Sequence, residues 1–263
     1  MMLHHVTPTL EQRLELRRRP SARPIMLQTW SELLFLHWVV DSDLLKSRLP
    51  PGLSVDCFEG NAYVGLVPFF MRNIRFRGTP ALPWISNFLE LNVRTYVYDS
   101  AGNPGVWFFS LDCDQPLAVW AARTLFHLNY QHARMRADII ENQSIHYRSA
   151  RKSANRDHNR REESSMFQYT WESETFFAEP GSLDFFLVER YLLFTVNRQG
   201  DLFRGQVHHT PYPLHRVQVP QFTTDLFELN GMPIPSSPFV HAIGSHGVDV
   251  QVYSLRSING SQA

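Results

Sequence analysis

The sequence predicts an α+β fold dominated by β-strands, and three observations carry that prediction. From Pro24 onward the chain is a succession of short runs rich in aromatic and β-branched residues, set apart by Pro, Gly, Asn and Asp turn signals. Only a few short stretches have the capping residues that open a helix instead. No repeat and no long linker interrupts the pattern, so one domain is expected over residues 24–257, with an N-terminal extension at 1–23 and a tail at 258–263.

Composition bounds the function. A chain of 263 residues with 43% hydrophobic content can bury a core that needs neither disulfide nor metal. Lys plus Arg and Asp plus Glu both total 25, so no net field draws the protein to nucleic acid or an anionic membrane. No apolar run reaches the roughly 18 residues of a membrane span. The only lysines are Lys46 and Lys152, which limits imine chemistry to two positions, because a guanidinium stays protonated. Cys57 and Cys113 form no CxxC pair; both are expected as small buried residues in a reducing compartment, which implies a cytoplasmic location.

The elements follow in chain order. The start, "MMLHHVTPTLEQRLELRRRPSARP", lacks the apolar core of a secretory signal, and Glu11 and Glu15 count against a transit peptide. It reads as a short helix capped at Thr9, with Gln12 completing a capping box, loosely attached to the body and ending before Pro20. "ELLFLHWVV", Glu32 to Val40, is a buried strand; Asp41 then caps a short helix that Pro50-Pro51-Gly52 ends. "LSVDCF" and "AYVGLVPFFMRNIRF" flank Glu59-Gly60-Asn61 as a hairpin, and "ELNVRTYVY" and "GVWFFSLD" flank "DSAGNP" as a second one.

Asp114 is expected as the N-cap of the next helix, with Pro116 in its first turn and Leu117, Trp120, Ala121 and Thr124 on one stripe. "FHLNYQHARMR", Phe126 to Arg136, is a helix exit that becomes a strand. "SIHYRSAR" continues the sheet, and "KSANRDHNRREESS" is a polar, aperiodic loop. "MFQYTWES" is a strand, "SLDFFLVERY" a helix capped at Ser182, and "LLFTVNRQGDLFRGQVHHTPY" a hairpin turning at Arg198 to Asp201. A short helix near "TTDLFELNG" and a last strand "VDVQVYSL" complete the chain.

Strand alternation places Glu90, Asn92, Arg94 and Tyr96 on one face and Leu91, Val93, Thr95 and Val97 on the other. A face carrying a carboxylate, an amide, a guanidinium and a phenol either meets solvent or lines a polar cavity. In the strand that follows the Asp114 helix, Gln131, Ala133 and Met135 share the inward face; His132, Arg134 and Arg136 share the other, as an anion site or a solvated surface. The twelve histidines have no ligand spacing: His208 and His209 point to opposite faces, and His241 and His246 fall in a loop. HExxH, GxSxG and P-loop motifs are missing, and with them the sequence support for a metal or a nucleotide cofactor.

Several segments together, "LQTWSELLFLHWVVD", "LPPGL", "AYVGLVPF", "ELNVRTYV", "PGVWFFSLD", "GSLDFFLVERY" and "GQVHH", resemble the YqjF-like family of conserved bacterial proteins. That resemblance runs from about Met26 to the final strand. It implies a fold similar to acetoacetate decarboxylase, an antiparallel sheet closed into a cone-shaped barrel with a few inserted helices and an enclosed pocket. By the same resemblance "FLELNVRTYV" sets Glu90 at the decarboxylases' catalytic-site carboxylate and turns Asn92 and Arg94 toward the pocket. Their helix with its following turn matches Gln115-Pro116, Arg123 and Asn129-Tyr130-Gln131. Tyr130 then stands where the Schiff-base lysine would be, and Gln131 where a second lysine would be. The arginine that helps bind substrate would align near Trp30 or Ser31.

With no amine at that position there is no imine electron sink, and the chain is not expected to be an active acetoacetate decarboxylase. The reading that follows is a protein that binds a small carboxylate or carbonyl compound through Arg94, Asn92, Gln131 and His132, with no cofactor. The alternatives are an enzyme working by acid–base chemistry through Glu90 and Tyr130, and an oligomeric scaffold subunit. A homo-oligomer fits each of them.

Overall fold

The computed structural model describes residues 6–140, 144–152 and 164–258. Helix α1 (Leu10–Glu15) has the capping box at Thr9 and Gln12. It is followed by β1 (Met26–Val40), α2 (Ser42–Lys46), β2 (Leu53–Val55), β3 (Ala62–Phe76), β4 (Phe88–Asp99), β5 (Pro104–Cys113) and α3 (Pro116–Leu125). Next come β6 (Tyr130–Ile140), β7 (Ser144–Arg151), β8 (Ser165–Phe176), α4 (Leu183–Val188), β9 (Leu192–Val196) and β10 (Leu202–His208). The last elements are β11 (Leu214–Thr223), α5 (Leu226–Leu229), β12 (His241–Val252) and β13 (Arg256–Ser257).

Among the described residues all thirteen strands belong to one sheet, in the order β13-β10-β9-β5-β6-β7-β8-β11-β12-β1-β3-β4-β2. Two further pairings, β4 with β5 and β10 with β12, bring it back on itself, so the sheet is partly ring-like. It is not wholly antiparallel as expected: β5 runs parallel to both β6 and β9. Parallel neighbours need a crossover, commonly a helix, and α3 supplies it between β5 and β6.

The central strands are buried on both faces, which is why they read as near-continuous apolar runs. Phe35, Tyr63, Val67, Phe69 and Met71 pack into one core; Leu34, Leu36, Trp38, Val64, Leu66, Phe70, Leu91 and Val93 pack into a second on the opposite face. The β4–β5 hairpin forms as expected, its turn held by Asp99 Oδ1, which accepts from the backbone of Ala101 and Asn103.

Other expectations are corrected. Phe58 to Asn61 is a local reversal, with Glu59 and Gly60 both at positive φ, but β2 pairs with β4 and not with β3. Gln115 caps α3, whereas the Asp114 carboxylate accepts from Leu89 N–H. Helix α3 buries Val119 and Ala122, and the stripe of Leu117, Trp120, Ala121 and Thr124 is not its buried face, with Leu117 55% and Trp120 64% exposed. Its apolar residues are spread around the helix, so periodicity alone picks the wrong face. Cys113 is buried, but Cys57 is exposed. His241 and His246 lie on β12 and not in a loop. Strand β11, which contains Pro220, is not among the expected strands. Most of the segment expected as a polar loop, residues 153–163, lies outside the described residues.

The extension does more than trail from the body. Arg13 on α1 donates two hydrogen bonds of 2.7 Å to Asp56, and Arg190 donates a third of 2.7 Å to the same carboxylate. A buried anion is tolerable only when paired in this way.

Candidate functional site

The polar face of β4 is not wet. Glu90, Asn92, Arg94 and Tyr96 are 3%, 5%, 8% and 0% exposed. Placing a carboxylate, an amide and a guanidinium inside a sheet carries a desolvation cost that apolar side chains would avoid, so the face needs an explanation beyond packing.

Glu90 sits opposite Phe69 of β3 and Cys113 of β5. Tyr130, at the start of β6, is one strand further on, paired with Leu111. About 10 Å, two strand spacings, separates β4 from β6, and a tyrosine and a glutamate bridge it by leaning inward. The Tyr130 hydroxyl donates to Glu90 Oε2 at 2.6 Å, and Arg123 of α3 fixes the turn by donating from Nε to the Tyr130 carbonyl at 2.6 Å. Burial raises the Glu90 carboxyl from 4.5 to about 7, against the hydrogen bonds from Tyr130 and Asn92, which lower it. Burial first, then the charge of Glu90, holds the Tyr130 phenol well above its ordinary range. A group poised near neutrality beside a proton-donating phenol is suited to acid–base work.

Arg94 does not form the same-strand ion pair with Glu90 that their spacing allows. Its Nη2 donates to the Leu187 carbonyl of α4 at 2.9 Å and lies 3.4 Å from the Tyr96 hydroxyl. Its guanidinium lies over the Phe35 and Tyr96 rings, 5.3 and 5.6 Å from their centroids. Asn92 Oδ1 and Arg94 Nε are buried with no hydrogen-bond partner among the described residues. Buried polar atoms are satisfied in the great majority of cases, so an acceptor and a donor without partners on one inward face stand out.

Tyr96 leads to residues that the sequence did not single out. Its hydroxyl lies 2.8 Å from the Leu187 carbonyl and 2.6 Å from His37 Nε2, and its one proton can go to either. His37 on β1 pairs in register with His241 on β12. The one signal available was a lone histidine inside an otherwise apolar strand, "LLFLHWVV", which must find partners once buried.

Gln131 and His132 are not drawn into this cluster. Gln131 Nε2 donates to Asn129 Oδ1 at 2.6 Å, and His132 Nε2 lies 3.3 Å from Lys152 Nζ. An open groove of about 720 Å³ between α3 and β9, lined in part by Trp107, Arg123, His127 and Asn197, does not include Glu90, Asn92 or Arg94. Among the described residues no group of His, Cys, Asp and Glu has the arrangement of a metal centre.

A strand-dominated, partly ring-like sheet with a few inserted helices is the acetoacetate decarboxylase-like fold. The solved acetoacetate decarboxylase of Legionella pneumophila superposes with a TM-score of 0.64 at 12% identity, over 98% of each chain. The enduracididine biosynthesis enzyme MppR in complex with pyruvate gives a TM-score of 0.61 at 13% identity, over 91% of this chain and 93% of that one. Within that fold the chain belongs to the DUF2071 family, described as an uncharacterized conserved protein, which it matches over residues 27–249. A relative in that family is the uncharacterized protein YqjF of Bacillus subtilis (strain 168), 39% identical over 223 residues, covering 84% of this chain and 88% of the relative.

Proposed function

We propose that the chain binds a small carboxylate or carbonyl compound at the inward face of β4 and does so without forming an imine. The observation that carries this reading is the pair of unpartnered buried atoms, Asn92 Oδ1 and Arg94 Nε, beside a carboxyl that titrates near 7. A carboxylate would take Arg94 Nε and compete with the Leu187 carbonyl for Nη2; a hydroxyl or enol on the same molecule would donate to Asn92 Oδ1. Pyruvate, seen in the MppR complex, has the carboxylate and, in its enol form, the hydroxyl. Lys46 ends α2 at the surface and Lys152 borders His132, neither of them on the inward face. The free cysteines fit a cytoplasmic setting.

A second reading, acid–base catalysis on such a compound, is favoured by the Glu90–Tyr130 contact. Arg94 would hold the anion, Glu90 would take or give the proton, and Tyr130 would polarise a carbonyl oxygen. Calorimetric titration of the purified chain with pyruvate tests the common part. Binding that Arg94→Met abolishes supports it, and binding unaffected by that change refutes it. Acetoacetate with borohydride, followed by intact-mass measurement, should leave no adduct; an adduct on Lys46 or Lys152 overturns the imine-free reading.

A further inference from the structure

Asp184, His241, His37 and Tyr96 form an unbroken file from the surface to the inward face of β4. Asp184, in the first turn of α4, is 19% exposed at its side chain and lies 2.8 Å from His241 Nε2 through Oδ1. His241 and His37 approach Nδ1 to Nδ1 at 2.9 Å, and His37 Nε2 meets the Tyr96 hydroxyl at 2.6 Å. Gly65 on β3 leaves room for the buried ring: a Cβ there would stand 2.9 Å from His37 Cδ2 and 3.0 Å from Nε2. We propose that this file is a proton conduit joining the β4 site to solvent at Asp184; it rests on the acid–base reading of that site and gives it a second proton acceptor, Tyr96, besides Glu90.

Counting hydrogens supports the assignment. An Nδ1 to Nδ1 contact at hydrogen-bond distance holds one proton, and with His37 kept neutral by burial two self-consistent arrangements remain. In the first, Tyr96 donates to His37 Nε2, His37 Nδ1–H donates to His241, and His241 Nε2–H donates to Asp184; both rings are neutral. In the second, Tyr96 donates to the Leu187 carbonyl, His37 Nε2–H donates to Tyr96, and His241 donates from both nitrogens as an imidazolium. The second holds one proton more.

A proton taken by Tyr96 from a bound molecule converts the first into the second. Tyr96 gains the new proton and passes its own to His37 Nε2; His37 passes its Nδ1 proton to His241. Three bonds to hydrogen break, one on the bound molecule, one on Tyr96 and one on His37, and three form. No electrons change hands. The positive charge comes to rest on His241 beside the Asp184 carboxylate, whose Oδ2 lies 3.6 Å from Arg216. Burial, then His241 and Arg94, keep His37 well below its ordinary pKa, so it relays the proton as a neutral ring. The hydrogen bond from His241 holds Asp184 below its ordinary range, which keeps the terminal carboxylate ionised.

The test is NMR of the imidazole nitrogens in the full chain labelled with ¹⁵N-histidine, from about pH 5 to about pH 9. The charged groups facing the file are Arg94 on β4, Arg190 at 4.8 Å from the Tyr96 ring, Asp184 on α4 and Arg216 on β11. Titration of a neighbour moves shifts but does not exchange tautomers. The expected result is that His37 carries its proton on Nε2 at the acid end and on Nδ1 at the alkaline end. In Asp184→Asn the crossover should fall by about one pH unit or more, because the imidazolium loses its counter-ion. A His37 tautomer that stays fixed across the range in wild type overturns the conduit, and wild type alone decides this if the variant fails to fold. No ligand is present in this measurement, so a failed pyruvate titration with an exchanging His37 would sink pyruvate as the ligand while the proton exchange along the file stood.

Discussion

Replacing Glu90 with Gln isolates the cost of ionising a carboxyl inside the sheet. Burial raises this group from 4.5 to about 7, and a tenfold change in acidity corresponds to about 1.4 kcal/mol, so the full interval amounts to about 3 kcal/mol. Below the lower value both folded and unfolded chains are protonated, and the folded state keeps its full stability. As pH rises through the interval, the unfolded chain releases a proton that the folded chain retains, so stability falls until about 7 and the penalty is then complete. Gln has the same shape, still accepts from Tyr130 and has no proton to lose. Urea unfolding at about pH 4 and about pH 8 should show Glu90→Gln gaining about 3 kcal/mol on wild type between the two conditions. Parallel pH profiles for the two proteins would mean that Glu90 ionises as it does in water, and a carboxyl poised near neutrality on β4 would be refuted.

Two further outcomes are expected. Gly65→Ala forces a methyl to within 2.9 Å of the His37 ring, and the repacking should cost ~1–3 kcal/mol in denaturant unfolding; a neutral result would show that His37 is not held against β3. Asp56→Ala leaves Arg190, 3% exposed at its side chain, without its carboxylate, which should cost ~3–5 kcal/mol. It also frees α1, so limited proteolysis should cut near Arg17 to Arg19 in the variant first; equal cleavage of both proteins contradicts the anchoring of α1 by Arg13.

The polar face of β4 was legible because period-two alternation is local. What the sequence did not carry was whether that face meets water or the interior, since a wet strand and a ligand-facing strand show the same pattern. The answer lies in the sheet's closure, which depends on pairings between distant segments. Tyr130 emerged by resemblance alone. The alternation continues from Gln131 with a different sense, and the parallel pairing with β5 is what turns the phenol toward Glu90. His241 was expected in a loop and Asp184 stands in a helix's first turn, where a carboxylate is ordinary; only the register of β1 with β12 brings the two imidazoles together. Helix α3 was misjudged for the complementary reason, because Leu117 and Trp120 satisfy a helical stripe without being buried.

The pairing of β1 with β12, Met26 opposite Val252 through His37 opposite His241, has a consequence for how the chain comes to be made. β1 leaves the ribosome well before β12, with most of the sheet between them. Until β12 arrives, β1 offers an unpaired, apolar edge of the kind that invites association with other chains. Closing a contact between such distant segments is also intrinsically slow. The same strand that covers that edge delivers His241 to His37, so the order of synthesis completes the sheet and the interior file in a single event.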